Sequence, residues 1–104
     1  MRVEKNKSNW KDILLKWQGA NGMLWEYQVS HKILTIRLQH LNYKGNLHII
    51  CGDTSLISGP VKFQHIHFII ECIDEEIWKI TEINSGLSLV CGIIELKENV
   101  EPVY

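Results

Sequence analysis

The chain has 104 residues, a formal charge of −1, 45% apolar and 22% charged residues, a balance typical of a folded globular domain and not of a disordered or fibrous chain. At this size one core hides about two-thirds of the unfolded surface without metals or disulfides, which leaves little room for a large multistep catalytic cleft. The eleven Lys and Arg residues are scattered apart from Arg2, Lys5, Lys7, Lys11 and Lys16, so no concentrated basic face interleaved with aromatics marks a nucleic-acid partner.

No apolar stretch approaches the roughly eighteen residues that span a bilayer, and Met1 to Asn9 lacks the apolar segment of a secretory signal. The expectation is a cytoplasmic protein with no membrane partner. Cys51, Cys72 and Cys91 are odd in number, far apart and form no Cys-x-x-Cys pair, which fits reduced thiols better than a disulfide framework. Cys51-Gly52 and Cys91-Gly92 are read as small apolar residues of the core.

In chain order, the first element is a helix. Trp10, Ile13, Leu14 and Trp17 recur at the i, i+3, i+4, i+7 spacing of one helical face, with Ser8 or Asn9 placed as a cap and Gly19 as a stop. The spacing predicts a helix from Asn9 to Gln18 whose tryptophans pack on a sheet. From Gly22 onward the period becomes two: Met23, Trp25, Tyr27 and Val29 alternate with Leu24, Glu26 and Gln28, and Leu34, Ile36 and Leu38 alternate with Thr35, Arg37 and Gln39. That pattern predicts a hairpin across Ser30-His31-Lys32. Leu47, Ile49 and Cys51 resume the alternation after the turn residues Asn42 to Gly45, and Ser55 to Ser58 can form a short strand. Val61 to Ile73 reads as the longest extended run, closed by Asp74-Glu75-Glu76, and Ile77 to Ile83 and Leu87 to Leu96 read as a last pair across Asn84-Ser85-Gly86.

Together these elements predict an α+β, mostly β fold: one N-terminal helix packed on an antiparallel meander of six or seven strands, as an open sheet or a small barrel. Isoleucine occurs fifteen times and alanine once, in keeping with strands over helices. Residues 1–104 read as a single domain, in which 1–7 and 97–104 can be loose tails and Val103 and Tyr104 can anchor the second.

The leading functional expectation is a non-enzymatic binding module that docks on a protein partner or on its own copy as a homodimer. No complete catalytic set is visible, no cofactor is implied, and a meander exposes edge strands that invite pairing. The expected contact surface is Trp78, Phe63 and the acidic turn Asp74, Glu75 and Glu76, with Glu71 and Glu82 close in sequence; Trp10, Trp17 and Trp25 are expected in the core, tryptophan being a favoured contact anchor where it is exposed.

A second reading is a metal-binding protein or metal-dependent enzyme. His65, His67 and Glu71 stand at i, i+2 and i+6, so in a regular strand all three leave one face, and two imidazoles with a carboxylate suit a divalent metal. Glu71 lies about 13 Å beyond His67 along a straight strand at ~3.3 Å per residue, and His48 on another strand is the alternative third ligand. Gly59, His65-Ile66-His67 and Glu71 resemble the first half of the cupin metal motif, which implies a small barrel holding a metal through two histidines, the glutamate and a later histidine. Trp78 stands where that family has a glycine, and no histidine follows His67. A third reading is a small barrel for an apolar ligand, its pocket lined by Trp17 and Trp25.

Overall fold

A computed structural model of the chain describes residues 2–4 and 7–100, and the side chains from Asn9 to Glu98. The tails expected at 1–7 and 97–104 are corrected where they are described: Arg2–Glu4 is a strand, and Lys97 to Val100 continues the last strand, which pairs with both Arg2–Glu4 and Asn46–Gly52. Residues 101–104, with Val103 and Tyr104, lie outside the described residues. The elements are β1 (Arg2–Glu4), α1 (Lys7–Lys16), β2 (Asn21–Gln28), β3 (Ile33–Gln39), β4 (Asn46–Gly52), β5 (Leu56–Ser58), β6 (Lys62–Phe63), β7 (Phe68–Asp74), β8 (Ile77–Glu82), β9 (Ser88–Cys91) and β10 (Ile93–Val100). The α+β, mostly β class holds. The arrangement differs from a single meander of six or seven strands: the strands form two antiparallel sheets, β1-β10-β4-β3-β2-β6 and β5-β9-β8-β7.

Two local meanders, β2-β3-β4 and β7-β8-β9, seed the two sheets, and β10 then pairs with β4 across a long sequence separation. The register explains the core. Leu34, Cys51 and Ile94 stand opposite one another on β3, β4 and β10, and so do Ile36, Ile49 and Leu96. These six side chains leave the inner face and are buried, as the period of two requires. The second sheet answers with Phe68, Ile80, Leu89 and Cys91, and all of them belong to one apolar cluster with the stripe of α1.

Trp10, Ile13, Leu14 and Trp17 are all buried, so the helix face read from spacing is the face that packs. The helix starts earlier than its expected cap: Ser8 and Asn9 lie inside α1. It stops after Lys16, and Gly19 turns the chain in the left-handed region (φ 89) with its N–H bonded to Ile66 O at 3.0 Å, a conformation that glycine adopts without a Cβ clash. One end of α1 is tied to the first sheet, because the buried Glu98 carboxylate accepts from Lys16 Nζ (2.9 Å) and Trp17 Nε1 (3.2 Å). The other end rests on the second sheet through the edge-on contact of Trp10 with Trp78, ring centroids 5.3 Å apart. Among the described residues, no helix is long and apolar enough to cross a membrane.

The run Leu87 to Leu96 does not form one strand beside Ile77–Glu82: Ser88–Cys91 pairs there, and after Gly92 the chain crosses to the other sheet as Ile93–Val100. Two further expectations are corrected here. The extended run Val61 to Ile73 is broken: Lys62–Phe63 belongs to the first sheet, Phe68–Asp74 to the second, and the corner between them bends at His65, whose φ is 51°. The break is held by backbone bonds that a continuous strand could not make. Ile66 N–H donates to Ala20 O at 3.0 Å while Ile66 O accepts from Gly19 N–H, and His67 N–H donates to the Glu82 carboxylate at 2.8 Å. The second correction concerns Trp25, which is 40% exposed. A register shift between Leu24 and Glu26 interrupts the β2–β3 ladder at Trp25, and such a bulge re-aims the side chain it carries.

Candidate functional site

The second sheet ends in β7, whose one hydrogen-bonded neighbour among the described residues is β8. Beside it lies a groove of about 420 Å³ between α1 and β7, walled by Trp10, Leu14, Phe68, Ile70 and Trp78 and rimmed by Lys11, Leu15, Gln18, His67 and Ile69. Two features of the chain make it. The helical period sets Trp10 and Leu14 on the face turned to the sheet, with Leu15 one position round and exposed. The strand register sets Phe68, Ile70 and Cys72 opposite Glu82, Ile80 and Trp78, so Trp78 joins the inner side chains of β7 on one face.

The groove contains an unused donor. Trp10 is nearly enclosed, and its indole N–H is buried without a hydrogen-bond partner among the described residues. A buried donor left unpaired costs about 1–3 kcal/mol. Ile69 and Ile73 on β7 and Ile77 on β8 are also exposed. At the Trp78 end the strand runs into Asp74, Glu75 and Glu76, all exposed at the tight β7–β8 turn, where Glu75 N–H donates to Asp74 Oδ1 at 2.7 Å. At the other end stand His67 and Gln18.

Of the contact residues expected from sequence, Trp78 is a wall of this groove, while Asp74, Glu75 and Glu76 do not line it and are exposed in the β7–β8 turn that precedes β8. Phe63 is a correction: it is buried, edge-on to Phe68 at 5.9 Å. A Cβ on Gly22 would lie 2.3 Å from the Phe63 ring, so a residue without a side chain is what lets β6 close on β2. Glu82 is a second correction, since it faces inward rather than joining the acidic surface. Burial favours its neutral form, but the Ser85 hydroxyl and the backbone N–H groups of His67, Asn84 and Ser85 win and hold its pKa below the usual carboxylate range. Glu82 thereby ties the corner at His67 to the β8–β9 turn.

The residues of the metal reading are dispersed. His65 and His67 sit in the corner before β7 and are exposed, and Glu71 lies opposite Lys79 on the neighbouring strand. His48 belongs to the other sheet, where its Nε2 accepts from Arg37 Nε at 3.1 Å. The corner at His65 is what breaks the shared face that the i, i+2, i+6 spacing assumes. Among the described residues, no three His, Cys, Asp or Glu side chains converge as metal ligands would. Trp17 and Trp25 do not line a common pocket either: Trp17 is buried against Tyr43 and Glu98, while Trp25 lies over Arg37. Cys51 and Cys91 are buried free thiols, as core residues should be, and Cys72 is exposed.

Compared with known proteins, the chain matches no family model, no curated protein and no solved structure. Its function has to be argued from the groove itself. Of the groove residues, Trp78 is among the contact residues expected from composition, whereas Leu14, Leu15 and Ile70, which also line the groove, are not. The available signal was Leu15, an apolar residue just outside the buried stripe of the helix.

Proposed function

We propose that this protein is a cytoplasmic, non-enzymatic binding module that takes an extended segment of a partner protein as an added strand along β7. The carrying observation is the contrast among the strands that end the two sheets. β1, β5 and β6 have three, three and two residues, whereas β7 has seven. Short edge strands are a common protection against unwanted pairing, and a long apolar edge lacks it. Here that edge borders a groove deep enough for side chains. An added strand satisfies its own backbone on β7 and sends alternate side chains into the groove, the division of labour by which strand addition combines affinity with selectivity.

The occupant is an apolar segment followed by Lys or Arg. Alternate apolar residues suit Trp10, Leu14, Phe68 and Trp78, and a basic residue meets Asp74, Glu75 and Glu76. A second copy of this chain fits less well. Antiparallel pairing of two β7 strands over their full length sets Glu71 against Glu71, like charges that oppose pairing, and leaves the acidic turn without a basic partner.

Selection from a displayed library of random decapeptides tests the reading. The expected consensus has apolar residues at alternate positions beside a basic one, and the synthetic peptide binds with shifts of the β7 amide signals. N-methylation at alternate backbone nitrogens, which removes donors from one edge of the peptide, abolishes binding in one phase and spares it in the other. A library that yields no binder, or a binder indifferent to both N-methylated series, would overturn the proposal.

A further inference from the structure

A second site lies on the outer face of the six-stranded sheet, independent of the groove. The register sets Met23, Arg37, His48 and Lys97 opposite one another on β2, β3, β4 and β10. Three basic side chains therefore form one row across three adjacent strands. His48 registers their field: burial lowers its pKa first, and the charges of Arg37 and Lys97 lower it further, with Glu26 pulling the other way. Because Arg37 Nε donates to His48 Nε2 at 3.1 Å, that nitrogen carries a lone pair and the ring is neutral, with its proton on Nδ1.

Arg37 is the unusual member. Its side chain is 3% exposed, and the indole of Trp25 lies over the guanidinium at 3.7 Å from the ring centroid. Guanidinium does not lose its proton in proteins, so burial cannot neutralise it. A buried charge is costly unless it is paired, and an aromatic face returns only about 2 kcal/mol when desolvated. Beyond Trp25 and His48, Arg37 has no partner among the described residues, and its ion pairs with carboxylates there are none. The carboxylates flanking the row lie along the next one: Glu26 stands opposite Thr35 and takes a hydrogen bond from Gln28, and Glu95 stands opposite Ile50. The two Nη groups of Arg37 make no hydrogen bond to a described residue and, unlike Trp10 Nε1, are not sealed from solvent, beside a neutral imidazole and a lysine.

The cover over this fork is carried on the bulge in β2, just past Gly22 and Met23, which pair with β6, and Leu24, whose N–H donates to Val61 O at 2.8 Å. Nearly half of the Trp25 surface is already in solvent, so moving the ring aside disturbs no part of the core.

We propose that Arg37, His48 and Lys97 bind a small oxyanion, a carboxylate or a phosphate group taken by the two free ends of the guanidinium, with Trp25 as a movable aromatic cover. The fork geometry of arginine matches two oxygens on one centre. The neutral His48 contributes its Nδ1 proton or takes one up as the anion binds, and Lys97 closes the row as a point charge. A planar ligand carrying the anion would replace Trp25 against the guanidinium or stack on its ring.

The test is an NMR titration of the full chain at constant ionic strength, with sodium phosphate, phenyl phosphate and benzoate as separate probes and sodium chloride as the reference. Saturable shifts of the Arg37 Nε–H and Trp25 indole signals, with chloride inert, are expected from at least one oxyanion. Phosphate compounds alone, or benzoate alone, would define which oxyanion the site takes. Lys97→Ala, a change at a partly exposed position, should weaken binding about threefold to fivefold, and Arg37→Lys should abolish saturation because a point charge cannot engage two oxygens. Where the Arg37 variant loses its native spectrum, His48→Gln replaces it as the diagnostic change and should weaken binding about tenfold through the lost charge-assisted contact. Shifts that rise linearly and equally with every salt, chloride included, or saturable shifts untouched by Lys97→Ala and His48→Gln, would overturn the proposal.

Discussion

The two sheets share one core and end differently. In the six-stranded sheet, β3, β4 and β10 stack rows of side chains with no exposed surface, among them Ile36, Ile49 and Leu96, and the margins are very short strands. In the four-stranded sheet, β7 buries Phe68 and little else, and its remaining residues reach solvent. The first arrangement concentrates burial, and with it the bulk of the folding free energy. The second leaves apolar surface and backbone groups unspent beside a groove. Regions used for recognition are drawn from the less buried parts of a fold, where a partner can still change the surroundings.

Substitutions in each sheet test this difference. Ile49→Ala, in a fully buried row between Ile36 and Leu96, should cost about 2–5 kcal/mol as lost transfer energy and residual cavity. Urea unfolding should show a lower midpoint with an unchanged slope; a cost below that range would mean that the first sheet is not the main seat of stability. Glu82→Gln comes next, at about 2–3 kcal/mol near neutral pH, because several donors lose a charged acceptor. Its pH dependence has a definite sign. The folded pKa of Glu82 lies below the usual value, so its contribution is full above the unfolded value of about 4.3 and is lost as pH falls through the folded one. Urea midpoints measured across that acid range should therefore fall more steeply for the natural chain than for the variant, and parallel curves would show that the network does not depend on the charge.

Lys16→Ala removes one partner of Glu98 at a helix end whose lysine is half exposed, and should cost no more than about 1 kcal/mol, shrinking with added salt. The smallest effect on stability belongs to the edge. Ile73→Lys on β7, at an exposed position, should change stability by no more than about 0.5 kcal/mol while weakening peptide binding about tenfold. Thermal melts and a peptide titration on the same samples separate the two effects. A variant that melts far lower but binds unchanged would reverse the roles assigned to the edge and the core.

Part of this was legible in the residue order because it depends on neighbours a few positions apart. The stripe Trp10, Ile13, Leu14 and Trp17 needed only the helical period, and Leu34, Ile36 and Leu38 needed only the alternation of a strand. The structure departs from the local pattern where contacts from a distance override it. Nothing within Val61 to Ile73 announces that Glu82, fifteen residues beyond His67, takes that residue's N–H, or that Gly19 and Ala20 bond Ile66. The face shared by His65, His67 and Glu71 disappears with that corner. Trp25 reaches solvent for a related reason, since a bulge is a property of two strands in register and not of either alone.

The residue order by itself determined the helix, its buried face and the strand alternation, since those follow from backbone geometry repeated over short spans. The tertiary structure alone decided which strands became neighbours. It set Trp10 against Trp78 beside an open edge, turned Glu82 inward, and aligned Arg37, His48 and Lys97 across three strands. Those juxtapositions join residues far apart in the chain, and they hold because burying the apolar faces of both sheets together selects one register among many that the local pattern allows.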